Sequence, residues 1–162
     1  MAVILAVYHA DEPTLVAAIL KQLVDTHDII HRSAKLGDIA AKFGTEVRDT
    51  LEGVLEPPMD LLGRPRSWKA QKLDYLATLS GASPRSIDVA AAEAIHHTGC
   101  LLADARRLGM EYVRTIAEVS PSEALWWFEA LAETIGVHPL WSRRDMVHEL
   151  RDLLRSFRIA LR

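Results

Sequence analysis

The chain has 162 residues, 49% of them apolar and 25% charged, with 19 Lys and Arg against 22 Asp and Glu for a net charge of −3. That length and balance suit one folded domain with a sizeable core and exclude a disordered chain. The weak acidity argues against bulk nucleic-acid binding, which needs a basic footprint, and a single cysteine, Cys100, leaves no intrachain disulfide and fits a reducing compartment.

The opening "MAVILAVYH" is apolar, carries no positive leader and is too short to cross a bilayer. It reads as a core helix over 2–9, and the chain as a cytoplasmic protein with no membrane partner. "DEPTLVAAILKQLV" starts with acids and Pro13, which suit a first helical turn, and its stripe is Leu15, Val16, Ala18 and Ile19. "KLGDIAAKFG" is a short helix stopped by Gly44. "TEVRDTLEGVLEPP" follows, ended by Gly53 and Pro57-Pro58, and residues 57–66 form the one clear loop. "SWKAQKLDYLATLSG" is a helix with Trp68, Leu73, Leu76 and Leu79 inward.

From Ser83-Pro84 the pattern predicts one long helix to about Val119, its seam running through Ile87, Ala91, Ile95, Leu102, Ala105, Leu108, Tyr112 and Ile116. Gly99 inside it costs roughly 1 kcal/mol against alanine. "SPSEALWWFEALAETIG" and "SRRDMVHELRDLLRSFRIALR" close the chain. No segment alternates with period two and no repeat is present. The fold class is all-α, a compact multi-helix bundle, with residues 1–162 as a single domain.

Residues 90–109, "AAAEAIHHTGCLLADARRLG", set two histidines near a carboxylate. Neighbouring helix positions point about 100° apart, so His96 and His97 do not converge on one ion. Glu93 is three residues from His96 and four from His97, which suits either an acid–base couple or a hydrogen-bonded polar patch. His27 and His31 have a metal-compatible spacing if helical, although such pairs also arise by chance. Lys21 lies in an apolar helix, as a functional cation or as a side chain that snorkels to water. In "ALWWFEAL" one of Trp126 and Trp127 fills the core, and the other is available to a homodimer contact or a pocket cap. Arg151, Arg155, Arg158 and Arg162 stripe the last helix, as a solvated face or a docking surface.

Taken in order, several segments resemble the HD-domain superfamily, and among its members the small single-domain RelA/SpoT-type guanosine tetraphosphate hydrolases. "YHADEPTLVAAIL" is similar to the acidic turn and helix that precede the family's His-Asp pair. "LGDIAAKFGTEVRDTLEGV" is similar to its Phe-Gly and Val-x-x-x-x-Glu-Gly-Val stretch. "RPRSWKAQKLDYLATLSGAS" resembles its basic Trp-Arg-x-Arg-Lys helix. "AAAEAIHHTGCLLADARRLG" resembles its Ala-Asp-Lys-Leu-His-Asn helix, and "LWWF" its aromatic patch. The likeness spans residues 2–135.

The resemblance implies an HD-like bundle and, in working members, one divalent manganese or iron ion that activates water against a phosphate. The ion is held by a first His, the His-Asp pair and a distant Asp. Here the chain begins after the first His. The His-Asp pair falls on Lys21-Gln22, a cation and a poor neutral ligand, and the distant Asp on Glu93. In an alternative layout the pair is His27-Asp28, the following acidic pair becomes His31-Arg32, and a metal site would comprise His27, Asp28, Glu93 and a rescue ligand, His31 or His9. His96 matches the family histidine that shapes the pocket. The basic helix keeps Lys69 and Lys72, with Ala70 and Gln71 between them, and Arg66 and Arg64 lie beside it as further anion ligands.

Two functional expectations follow. The first is an HD-like protein that has lost the metal and its phosphohydrolase chemistry. It would use no cofactor and keep the pocket for ligand sensing, partner binding or metal-free chemistry in a specialised pathway, with Glu93, His96 and Lys21 as the chemical groups and His97, Lys69, Lys72 and Arg66 binding a phosphorylated or nucleotide-like ligand. The second is a divergent metal-dependent phosphohydrolase acting on a nucleotide or alarmone.

Overall fold

The computed structural model describes residues 1–25, 29–56, 59, 64–116 and 119–161, the side chains of residues 29, 30 and 116 excepted. The described residues form nine helices and no strand, so the fold is all-α. None of these helices is long and apolar enough to cross a membrane. The chain divides into two compact units, Met1–Ala90 and Ala91–Arg162, whose boundary falls inside one helix.

In the first unit, α1 (Ala2–Val7) buries Leu5 and ends where the backbone turns left-handed at His9, φ 55°. The N–H of Ala10 reaches the Leu5 carbonyl at 3.0 Å and that of His9 the Ala6 carbonyl at 3.1 Å, the paired bonds of a Schellman cap. The helix therefore stops short of the expected residue 9. Next, α2 (Glu12–Val24) starts at Asp11, whose carboxylate accepts the Thr14 N–H at 3.2 Å. Its buried positions are Thr14, Ala17, Ala18, Lys21 and Val24. That stripe is rotated from the expected one, and Ile19 is 64% exposed.

The next helix, α3 (Ile29–Phe43), starts six residues earlier than the expected Lys35 and buries Leu36 and Ile39. After Gly44 comes α4 (Thr45–Glu52), which buries Val47, Thr50 and Leu51. These last three helices pack on one another, and α1 packs on α2. Ser67 caps α5 (Trp68–Leu79), which turns Tyr75 and Leu79 inward. Leu73, expected inward, is 52% exposed, because Tyr75 takes the buried face.

The start of α6 (Pro84–Leu108) belongs to the same unit, with residues 86–90 all buried. The Ser86 hydroxyl donates to the Thr50 carbonyl at 3.0 Å. Arg85 donates to Asp11 at 2.7 Å and lies 3.2 Å from Glu46, so one guanidinium ties the starts of α2, α4 and α6 together.

In the second unit the rest of α6 buries Ala91, Ala92, Ala94, Ile95, Thr98 and Leu102. The expected continuous helix to Val119 is broken. Gly109 takes φ +87°, a conformation that costs any residue with a Cβ, and a separate helix α7 (Met110–Ile116) follows. Leu108 and Tyr112, expected on one seam, are 46% and 42% exposed.

Ser120 opens α8 (Pro121–Gly136) with a reciprocal cap: its hydroxyl accepts the Glu123 N–H at 3.2 Å and its own N–H donates to the Glu123 carboxylate at 3.0 Å. Finally, α9 (Arg144–Ala160) packs on α8, with Met146, Val147, Leu150, Leu154 and Phe157 buried. Arg144 donates to the carbonyls of Ile135, Gly136 and His138 at 3.2, 2.7 and 2.8 Å, closing the C-terminus of α8 with a cation. Trp127 is buried and Trp126 half-buried, so one ring of the pair fills the core as expected.

The Asp11 node has a defined pH signature. Burial pushes its carboxyl up, but hydrogen bonds from Thr14 and Arg85, with the Arg85 charge, outweigh this and hold it below the usual value. A depressed folded-state pKa stabilises above the unfolded carboxylate range, about 3.9, and the gain is lost as pH falls through the folded value. Asp11→Ala should lower stability at neutral pH by about 1 kcal/mol in urea denaturation. The gap between wild type and variant should narrow when the same titration is run near pH 3.

Candidate functional site

The residues singled out by sequence fall in both units. In the first unit Lys21 lies on the inward face of α2 at 4% exposure, so its aliphatic stem does not snorkel to water. Its ammonium pairs with Asp25 one turn on, at 3.1 Å. The Asp25 side chain is 40% exposed, so the pair lies at the margin of the interior. Gln22, the other member of this position, is exposed. The second layout rests on His27 and Asp28, which lie outside the described residues. His31 is exposed on α3, and His9 is exposed at the end of α1.

The basic segment around α5 is already engaged. Lys72 is ion-paired with Glu56 and stands over the Trp68 ring at 5.8 Å. Glu56 also presents its backbone carbonyl to Arg32 at 2.9 Å. Arg66 pairs with Asp74 and donates to the Met59 carbonyl at 3.3 Å. Lys69 and Arg64 are exposed. Both also have partners of their own. An anion arriving here competes with Glu56 and Asp74 for Lys72 and Arg66.

In the second unit Glu93 is half-buried and His96 and His97 are exposed on α6. The two imidazoles lie 5.7 Å apart between centroids and are tilted by 38°, as the helical offset of neighbouring residues requires. His97 meets Phe128 of α8 edge-on at 6.5 Å. His96 looks the other way along the helix, with Nδ1 3.9 Å from the Cys100 sulfur. Lys21, Lys69, His31, Glu93 and His97 each have a polar, ionic or ring partner. Among the described residues no group of three or more His, Cys, Asp or Glu side chains is arranged to hold a metal ion.

Several partners escaped the sequence reading. Asp25 stands four residues from Lys21, a helical pairing distance readable in principle, whereas Glu56 is sixteen residues from Lys72 and its spacing carries no such signal. Cys100 stands four residues from His96, a spacing that places the two side chains on one face and was readable in principle. Phe128 contacts His97 through tertiary packing alone.

The Lys21–Asp25 pair makes a stability prediction. Removing one member of a buried pair strands the other charge, whereas an apolar isostere of the buried member avoids the problem. Asp25→Ala should destabilise the protein by about 1–3 kcal/mol, discounted from the fully buried case because Asp25 meets water. Lys21→Met should be closer to neutral. Paired urea denaturation curves decide this, and a larger loss for Lys21→Met would reverse the ordering.

No family model and no curated protein matches the sequence. The fold is similar to that of lmo0812 from Listeria monocytogenes EGD-e, known from a crystal structure at 1.85 Å, with a TM-score of 0.77, 17% identity, and coverage of 95% of this chain and 93% of that one.

Proposed function

We propose that this chain is an HD-type protein without the family's metal-dependent phosphohydrolase chemistry. It serves as a cytoplasmic binding protein for a small phosphorylated or nucleotide-like ligand, or runs metal-free acid–base chemistry in a specialised pathway. The supporting observation is the burial of Lys21. In the layout that keeps "HADEPTLVAAIL" aligned, Lys21 takes the place of the family's metal-binding histidine, and its side chain faces the interior and not the solvent. An ammonium repels a divalent cation and offers it no lone pair, and Gln22 beside it is a weak neutral ligand. The donor set of that layout does not fit the family's ion.

On this reading Glu93 and His96 are the acid–base couple of the second unit, with the exposed imidazole available to a ligand and the carboxylate one helical turn behind it. His97, resting against Phe128, is a ligand contact and does not transfer protons.

The full chain, produced in medium supplemented with manganese and iron, should contain neither these metals nor zinc in stoichiometric amount by elemental analysis. It should release no phosphate from guanosine tetraphosphate or from a nucleotide panel with manganese present. A stoichiometric metal, or manganese-dependent release that Asp28→Ala abolishes, would overturn the reading in favour of the His27-Asp28 layout.

A further inference from the structure

The hairpin of α8 and α9 holds a groove of about 250 Å³, lined by Glu129, Ala132, Glu133, Arg151, Leu154, Arg155 and Arg158. This is below the roughly 300–1,000 Å³ of sites for drug-sized molecules, so an occupant is small. Ala132 and Leu154, 2% and 4% exposed, give a small apolar floor, and the walls are charged. Two of the three arginines already have counter-ions: Arg158 pairs with Glu129 across the groove, and Arg155 with Asp152 on its own helix. That leaves one cation and one anion, Arg151 and Glu133, neither of which has a salt-bridge partner among the described residues.

A glycine leaves room for Arg151. A Cβ at Gly136 would come within 3.1 Å of the Arg151 Nη2, so the absence of a side chain at the end of α8 lets the guanidinium lie over the backbone. Its planar fork is suited to two parallel bonds to a carboxylate. Glu133 supplies an acceptor for an ammonium from the facing helix. Opposite charges that line one groove without pairing to each other suit a molecule that carries both.

We propose that the groove between α8 and α9 binds a small zwitterion with an apolar side chain, an apolar amino acid. Its carboxylate is held by Arg151, its ammonium by Glu133, and its side chain rests on Ala132 and Leu154. Apolar molecules without charge leave both ionic groups unused. This site stands independently of the proposed function, and its failure leaves that reading untouched.

The test is titration calorimetry of the full chain with leucine, methionine and phenylalanine, set beside N-acetyl-leucine, which lacks the cation, and leucine methyl ester, which lacks the anion. Saturable binding of at least one free amino acid is expected, with both of its blocked forms at least about tenfold weaker. Arg151→Gln should remove binding of the free amino acid. Glu133→Gln should weaken the free amino acid and leave N-acetyl-leucine unchanged. Gly136→Ala should weaken binding by displacing the Arg151 guanidinium. Circular dichroism reports whether each variant is folded, and the comparison of ligands on the wild-type chain decides the matter if one is not. No saturable binding, blocked forms that bind as tightly as the free amino acid, or folded variants that bind unchanged would each overturn the proposal.

Discussion

A primary ammonium taken almost wholly out of water has to be answered by an opposite charge, and at Lys21 the answer comes from Asp25, one turn along the same helix. The burial of Lys21 in this pair goes together with the rotation of α2. With Lys21 inward, Thr14, Ala17, Ala18 and Val24 must follow it into the core, and Ile19 must face out. The helix is held at that rotation from its other end by Asp11, through the Thr14 N–H and the Arg85 guanidinium. Arg85 also reaches Glu46, so the same small set of charges governs where α4 and the start of α6 sit within the first unit. The Asp11 contacts sit at helix starts, where backbone N–H groups need partners and negative charge is favoured.

The local rules of helix formation were mostly legible in the sequence. Pro13 after the acids, Gly44, Gly53 and the Ser120-Pro121 start each sit where an element begins or ends. What was not legible was facing. Residues 12–24 are apolar on more than one side, so the spacing rule admits two stripes, and the one containing Leu15, Val16 and Ile19 looks better than the one containing a lysine. The interior took the lysine stripe, and a counter-charge one turn away makes that burial tolerable, which an apolar count does not register. The same ambiguity moved Tyr75 inward at the expense of Leu73. At Gly109 the apolar seam runs on past the glycine, while the backbone there takes a left-handed turn that the seam does not encode.

The candidate site was legible to a similar degree. The offset of His96 from His97 follows from helical geometry, and the two rings lie apart and tilted. Whether a side chain is available to a ligand depends on partners distant in sequence. Glu56 engages Lys72 from sixteen positions away, and Phe128 meets His97 from another helix. Arg151 shows the reverse case. Its spacing suggested a solvated face or a docking surface, and its lack of a counter-ion became visible once its neighbours Arg155 and Arg158 were seen to have theirs.

The turn between α8 and α9 carries Val137 and Leu140 at 79% and 74% exposure, a setting in which loops usually tolerate changes in length. Arg144 removes that tolerance. Its guanidinium is bonded to three carbonyls at the end of α8 and stands 5.7 Å from the centre of the Trp141 ring, so the number of residues from Gly136 to Arg144 is measured by the reach of one side chain. The two exposed apolar side chains are thus displayed on a ruler and not on a tether. An inserted residue between Gly136 and Arg144 would pull the guanidinium off those carbonyls, whereas a substitution at Val137 or Leu140 would leave them in place.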